Sequence, residues 1–194
     1  KNRHCPMCQG IELDEWIDKQ QENVLDVPYF HTVFTIPKEL YSLVYSNQKL
    51  LYDALYHAAH RTMTELSSDS KHLGAKIGYI CVLHTWGSRM NYHPHLHAIV
   101  LGGGLDSSNH WKDKGKKFFF PVKVMSAIFK KHYLNELKQL REQEKLQYCG
   151  TSKEFQNHYA FKELLDILYE KDWIVYTKEA FNGASSVIKY LGRY

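Results

Sequence analysis

A chain of 194 residues has room for one sizeable core, or for one core with a small appendage. At 44% hydrophobic and 14% aromatic it is no disordered segment, and no apolar run reaches the roughly 20 residues of a membrane span. The net charge of +4 tolerates a polyanionic partner without demanding one. Four cysteines without a secretory leader, two of them spaced Cys-x-x-Cys, favour a reducing cytosol with metal ligation or free thiols over disulfides.

In chain order, Cys5 and Cys8 come first. Their spacing presents two thiolates to one tetrahedral zinc ion, which needs two further ligands. Cys81 and Cys149 are distant and are expected to be small buried apolar residues. The missing ligands are therefore expected upstream of Lys1, and because the first residue is not Met the chain reads as part of a longer protein. Residues 11–25 predict a helix with Leu13, Trp16 and Ile17 on one side, closed off by Pro28. Residues 29–36 alternate in the manner of a strand, with Phe30, Phe34 and Ile36 on one face and His31, Val33 and Thr35 on the other. Pro37 starts a helical turn, and after Asn47 a long helix runs to about Leu66, burying Leu51, Leu55, Ala58 and Met63.

Residues 76–86 predict a second strand. A short connection leads into a third, which opens His93-Pro94-His95-Leu96-His97 and ends at the glycines 102–104. Residues two apart on a strand share a face, so His95 and His97 point together while Leu96 turns to the core. Two imidazoles on a rigid element suit a divalent ion, although chance pairing among twelve histidines is a competing explanation. Strands joined this closely pair antiparallel, which brings His84 near His95 as a third candidate ligand; His93 is its competitor.

Residues 106–121 read as a polar loop with Lys112, Lys114, Lys116 and Lys117, feeding a short aromatic strand. Helices are predicted over 124–146 and, opened by Ser152, to about Tyr169; a strand follows over 173–177, then a last helix after Gly183. Mixed helices and strands, with the one close strand pair lacking a crossover helix, imply an α+β fold with a central antiparallel sheet flanked by helices. On the last helix Tyr190 and Tyr194 stand four apart, so both hydroxyls leave one face. An aromatic core stripe would look similar, but Lys189, Gly192 and Arg193 fit a core face poorly. A basic helix carrying two tyrosines beside a histidine metal site is what phosphodiester chemistry by a tyrosine nucleophile needs.

Five stretches together resemble a family: residues 3–9 (Arg-His-Cys-Pro-Met-Cys-Gln), 29–37 (Tyr-Phe-His-Thr-Val-Phe-Thr-Ile-Pro), 82–87 (Val-Leu-His-Thr-Trp-Gly), 93–97 and 190–194 (Tyr-Leu-Gly-Arg-Tyr). In this order they are similar to the two-tyrosine, rolling-circle insertion-sequence transposases of the HUH (His-hydrophobe-His) endonuclease superfamily. The resemblance implies that residues 1–10 end a zinc-binding motif holding Zn²⁺ through Cys5 and Cys8. Residues 11–194 would be a single-stranded-DNA endonuclease domain. It implies metal ligands at His95 and His97, with His84 as third, and nucleophiles at Tyr190 and Tyr194. The expected ion is Mg²⁺ in the cell and Mn²⁺ in the test tube. The expected partner is single-stranded DNA at transposon ends and target, at the bacterial nucleoid and not at a membrane. Lys189, Arg193 and Arg89 are candidate backbone contacts, and Trp86 and Tyr92 candidate stacking platforms. Rival readings are a relaxase or replication initiator of the same superfamily, a zinc-stabilised DNA-binding module without catalysis, and a metallohydrolase using water.

Overall fold

The structure is a computed structural model that describes residues 6–22, 24–87, 89–113, 120–179 and 188. Its described part centres on a five-stranded antiparallel sheet in which β1 (Tyr29–Thr35), β2 (Lys76–Trp86), β3 (Tyr92–Leu105) and β5 (Ile174–Glu179) stand in the order β2-β3-β1-β5. The short β4 (Trp111–Asp113) pairs with the far end of β3. The helices are α1 (Pro6–Gln21), α2 (Tyr41–Ser46), α3 (Gln48–Ser68), α4 (Val122–Glu142) and α5 (His158–Glu170). The expected fold class, a central antiparallel sheet flanked by helices, is what the structure has.

Strand alternation assigns the two faces of the sheet. Phe30, Thr32 and Phe34 of β1 and Leu96, Ala98 and Val100 of β3 are buried on one face. There Phe34, Leu96, Ala98 and Val100 join the main core with Leu51, Leu55 and Met63 of α3 and Met125, Phe129 and Tyr133 of α4. Thr32 is fully buried, and its hydroxyl is satisfied by that of Thr177 across the β1–β5 pair at 3.0 Å. On the opposite face Ile99 packs with Ile17 of α1 and with Ile188, beside Trp16, Val24, Tyr29 and Val82. The four residues expected to line the long helix, Leu51, Leu55, Ala58 and Met63, are all buried.

Several boundaries differ from expectation, each for a local reason. The glycines at 102–104 do not end β3, which continues to Leu105. A Cβ on Gly103 would lie 2.5 Å from the Trp111 ring, and one on Gly104 would lie 2.4 Å from the Lys76 carbonyl oxygen. These glycines admit neighbouring strands and do not break their own. Of the helix expected over residues 11–25, residues 11–21 lie in α1, which starts earlier, at Pro6, and ends at Gln21. The helix expected to open at Ser152 is in fact a 3-10 segment, Gly150–Gln156, followed by α5. Asn157 caps α5, its side-chain oxygen accepting from the amides of Tyr159 at 2.8 Å and Ala160 at 3.3 Å. Ser152 is instead buried, bonded to Ser46 and to the Cys149 backbone. Tyr159, in the first turn of α5, is exposed. Cys149 is also exposed, whereas Cys81 is largely covered, and burial pushes its thiol up to about 12. β4 went unrecognised; within it Lys112 lies 3.8 Å from Asp106, while Lys114, Lys116 and Lys117 fall outside the described residues.

Candidate metal centre

Two strands deliver the three histidines. In the antiparallel register of β2 with β3, His84 lies directly opposite His95 and Val82 opposite His97. Cross-strand partners and next-but-one neighbours share a face, so all three imidazoles emerge together on the side away from the main core. Their ligand nitrogens fall within 4.8 Å of one another. Ring centroids are 4.3 Å apart for His84 and His97, 4.8 Å for His95 and His97, and 5.4 Å for His84 and His95.

Pro94 shapes the entrance to this cluster. Between His84 and Trp86 on β2, the partners on β3 step from His95 back to Tyr92, so β3 carries one residue more than β2 there. A proline has no amide to give the ladder, and such an irregularity is where a strand tolerates it. The residue before it, His93, turns its ring to the Tyr41 hydroxyl, while its carbonyl accepts from His95 Nδ1 at 2.6 Å. His95 therefore keeps Nε2 as its ligand atom. His93, the competitor for third ligand, is engaged elsewhere, and the close group is His84, His95 and His97.

Electrostatics favour ligation. Burial first, then the neighbouring imidazoles of His84, His95 and His31, push His97 down to about 3. Burial first, then His95 and His31, push His84 down to about 4. His95 is also lowered, chiefly by burial. At neutral pH the three rings are uncharged, each with a lone pair to offer. Three neutral nitrogen donors on paired strands fit a divalent transition ion well and suit Mg²⁺, which prefers oxygen, less well.

His31 was missed as part of this centre. Its Nε2 lies 2.6 Å from His97 Nδ1, and the two rings stack at 4.9 Å with 9° between their planes. The sequence does place His31 on the strand face opposite Phe30 and Phe34. What it lacks is any indication that β1 pairs with β3, with Val33 opposite His97.

The remaining candidates are spread unevenly. Trp86, at the end of β2, is 55% exposed and meets Tyr92 edge-on at 6.1 Å. Tyr92 is half-buried: its hydroxyl bonds that of Tyr52 at 2.8 Å, and the rings of Tyr41 and Tyr45 flank it. Tyr41, Tyr45 and Tyr92 also line a cavity of about 610 Å³ together with Cys149, Gly150 and Thr151. Arg89 is exposed in the β2–β3 turn. Cys8 lies in the first turn of α1, which runs across position 10. Cys5, Lys189, Tyr190, Arg193 and Tyr194 lie outside the described residues.

An antiparallel sheet with a three-histidine cluster on one face, two of the rings buried, defines a class of protein that could hold a metal ion on a rigid platform. Comparison with known proteins narrows the class. Residues 78–194, more than half of the chain, match the family model described as "Putative transposase", and residues 1–36 match a transposase zinc-binding domain. The chain belongs to this transposase family, and its resemblance to the two-tyrosine insertion-sequence transposases is borne out. It is 36% identical to "Putative transposase y4qJ" of Sinorhizobium fredii (strain NBRC 101917 / NGR234), a match over all of this chain and 49% of that protein. It is 40% identical over 111 residues to the transposase for insertion sequence element IS801 of Pseudomonas savastanoi pv. phaseolicola, covering 57% of this chain and 26% of that protein. The chain thus spans about half the length of one curated relative and about a quarter of the other. Among solved structures it is similar to TrwC complexed with a 27-mer DNA comprising the recognition hairpin and the cleavage site. That match has a TM-score of 0.43 at 18% identity and covers 57% of this chain and 44% of that one, too remote to bear on the chemistry.

Proposed function

We propose that this chain is the strand-cleaving part of a rolling-circle transposase. It would cut and rejoin single-stranded DNA by tyrosine transesterification. The observation that carries the reading is the cluster of His84, His95 and His97, three uncharged imidazoles, two of them buried, whose ligand nitrogens lie within 4.8 Å of one another on the face of a sheet, in a chain of transposase family. Their role is to hold a divalent ion, Mn²⁺ or Mg²⁺, in a fixed place. An ion held there by His84, His95 and His97 would supply positive charge beside a DNA phosphate and so stabilise the charge that develops during displacement.

Tyr190 and Tyr194 are the proposed nucleophiles. The phenol oxygen of one bonds to phosphorus, its proton passes to solvent, and the bond from phosphorus to the 3′ oxygen breaks, that oxygen taking up a proton from solvent. The products are a 5′-phosphotyrosine link and a free 3′-hydroxyl. The ester is kept in covalent form, so a 3′-hydroxyl can later reverse the step and rejoin the strand. Two tyrosines allow two transfers, one for the donor strand and one for a second cleavage or the target. Trp86 and Tyr92 are proposed to meet bases, and Arg89, Lys189 and Arg193 the backbone. Residues 1–10 are proposed to end a zinc-binding motif with Cys5 and Cys8 as ligands, and residues 11–194 to form the nuclease domain.

The test is a denaturing gel after incubation with single-stranded transposon-end oligonucleotides and Mn²⁺. A covalent protein–DNA species is expected from the native sequence and none from Tyr190→Phe combined with Tyr194→Phe. An adduct that persists in the double variant overturns the nucleophile assignment. Cleavage with no adduct at all would point instead to a hydrolase that uses water.

A further inference from the structure

We infer that His31 is a positioning residue of the histidine centre, acting through His97 by accepting a hydrogen bond from its Nδ1–H and so committing its Nε2 to the metal. The inference rests on the reading that His84, His95 and His97 hold an ion, and it adds a fourth histidine with a different task. Three observations carry it. The Nε2 of His31 stands 2.6 Å from His97 Nδ1, a hydrogen-bond distance. The rings are nearly parallel, 9° apart at 4.9 Å, so the contact constrains the plane of His97 as well as one of its nitrogens. The two residues sit on adjacent strands whose register, Val33 opposite His97 and His31 opposite Ile99, sets them diagonally across one face.

A neutral imidazole has one N–H and one lone pair, and the partner of one nitrogen decides which is which. If His97 donates from Nδ1 to His31, the lone pair of His97 lies on Nε2, ready for a metal. If His31 donates instead, His97 carries its proton on Nε2 and is blocked as a ligand until it rearranges. His95 already follows the productive pattern, because a backbone carbonyl can only accept, and the carbonyl of His93 takes its Nδ1 proton at 2.6 Å. His31 does for His97 what that carbonyl does for His95. Because an imidazole can either donate or accept, while a carbonyl only accepts, this arm of the centre depends on a side chain and can be broken by mutation. Partners of this kind typically change metal affinity about 10–100-fold when removed.

Two measurements test the inference. Co²⁺ and Mn²⁺ affinities are measured by competition with a chromogenic chelator for the native protein, His31→Phe and His31→Gln, along with the Co²⁺ absorption spectrum. His31→Phe keeps the stacked ring but loses the acceptor, and is expected to weaken binding 10–100-fold and shift the spectrum. His31→Gln can still present an amide to Nδ1 and is expected to recover to within a few-fold of native. Native-like affinity and spectrum in His31→Phe overturn the inference while leaving the metal site intact. If the native protein binds no Co²⁺, or binds it equally well without His95 and His97, the metal reading fails and the inference with it. The second measurement needs no variant. Ring ¹⁵N shifts of His97 in the metal-free native protein are expected to show the proton on Nδ1; a proton on Nε2 refutes the assignment.

Discussion

The two faces of one sheet carry opposite kinds of residue on the same three strands. Along β3, Leu96, Ala98 and Val100 look into a core closed by α3 and α4, whereas His95, His97 and Ile99 look the other way. The core face is apolar apart from Thr32, whose hydroxyl bonds that of Thr177. The other face is divided: α1 and Ile188 cover the Ile99 end, histidines occupy the His95 end, and Ile174 and Tyr176 of β5, opposite Thr35 and Val33, remain exposed. A strand period of two lets one segment serve stability and chemistry at once, with no residue asked to do both. The cost falls on the histidine face, where burying clustered imidazoles spends stability to keep them uncharged.

The comparison is broken most completely by removing the ligands. His95→Ala with His97→Ala should abolish Mn²⁺ binding, read by chelator competition, and metal-dependent cleavage with it. The urea midpoint should move less than after a single substitution on the other face. Leu96→Ala is that substitution, one residue away and turned inward. It should cost about 2–5 kcal/mol of stability by urea unfolding, because a fully buried side chain leaves a cavity. Metal affinity of the protein that remains folded should stay near native. A reversal of these two outcomes would mean that the faces do not divide their labour as described.

The smallest effect sharpens the electrostatic half of the comparison. His97 and His84 titrate in the folded protein at about 3 and about 4, below the ordinary 6.5. As pH falls below about 6.5 the unfolded chain therefore takes up protons that the folded chain refuses, and acid lowers stability. Metal-free protein should lose stability between pH 7 and pH 5 and show a flat profile above 7. The double alanine variant should lose less over the same window. An equal loss in both proteins would place the acid sensitivity elsewhere.

How much of this could be read in advance depended on whether the information was local. The His-x-His pair, the inward Leu96, the apolar stripe of α3 and the proximity of His84 to His95 all follow from periodicity and from a short connection between adjacent strands. They were legible because neighbouring residues on a strand or helix have fixed directions. The glycines at 102–104 were misread because their purpose is to make room for Trp111 and for the β2 backbone, atoms contributed by other strands. Ser152 resembled a helix cap, yet it is buried against Ser46, more than a hundred residues away in the chain.

The amino-acid sequence alone determined the α+β class, the transposase family and the histidine strand, and it made His84 a candidate third imidazole with His93 as its competitor. Tertiary structure alone decided that His31 stands behind His97 and that His93 turns to Tyr41 and lends its carbonyl to His95. The reason is the pairing of β1 with β3 across more than fifty residues of intervening chain. Local pattern says which face a side chain takes, and only the register between distant strands says which side chain it meets there.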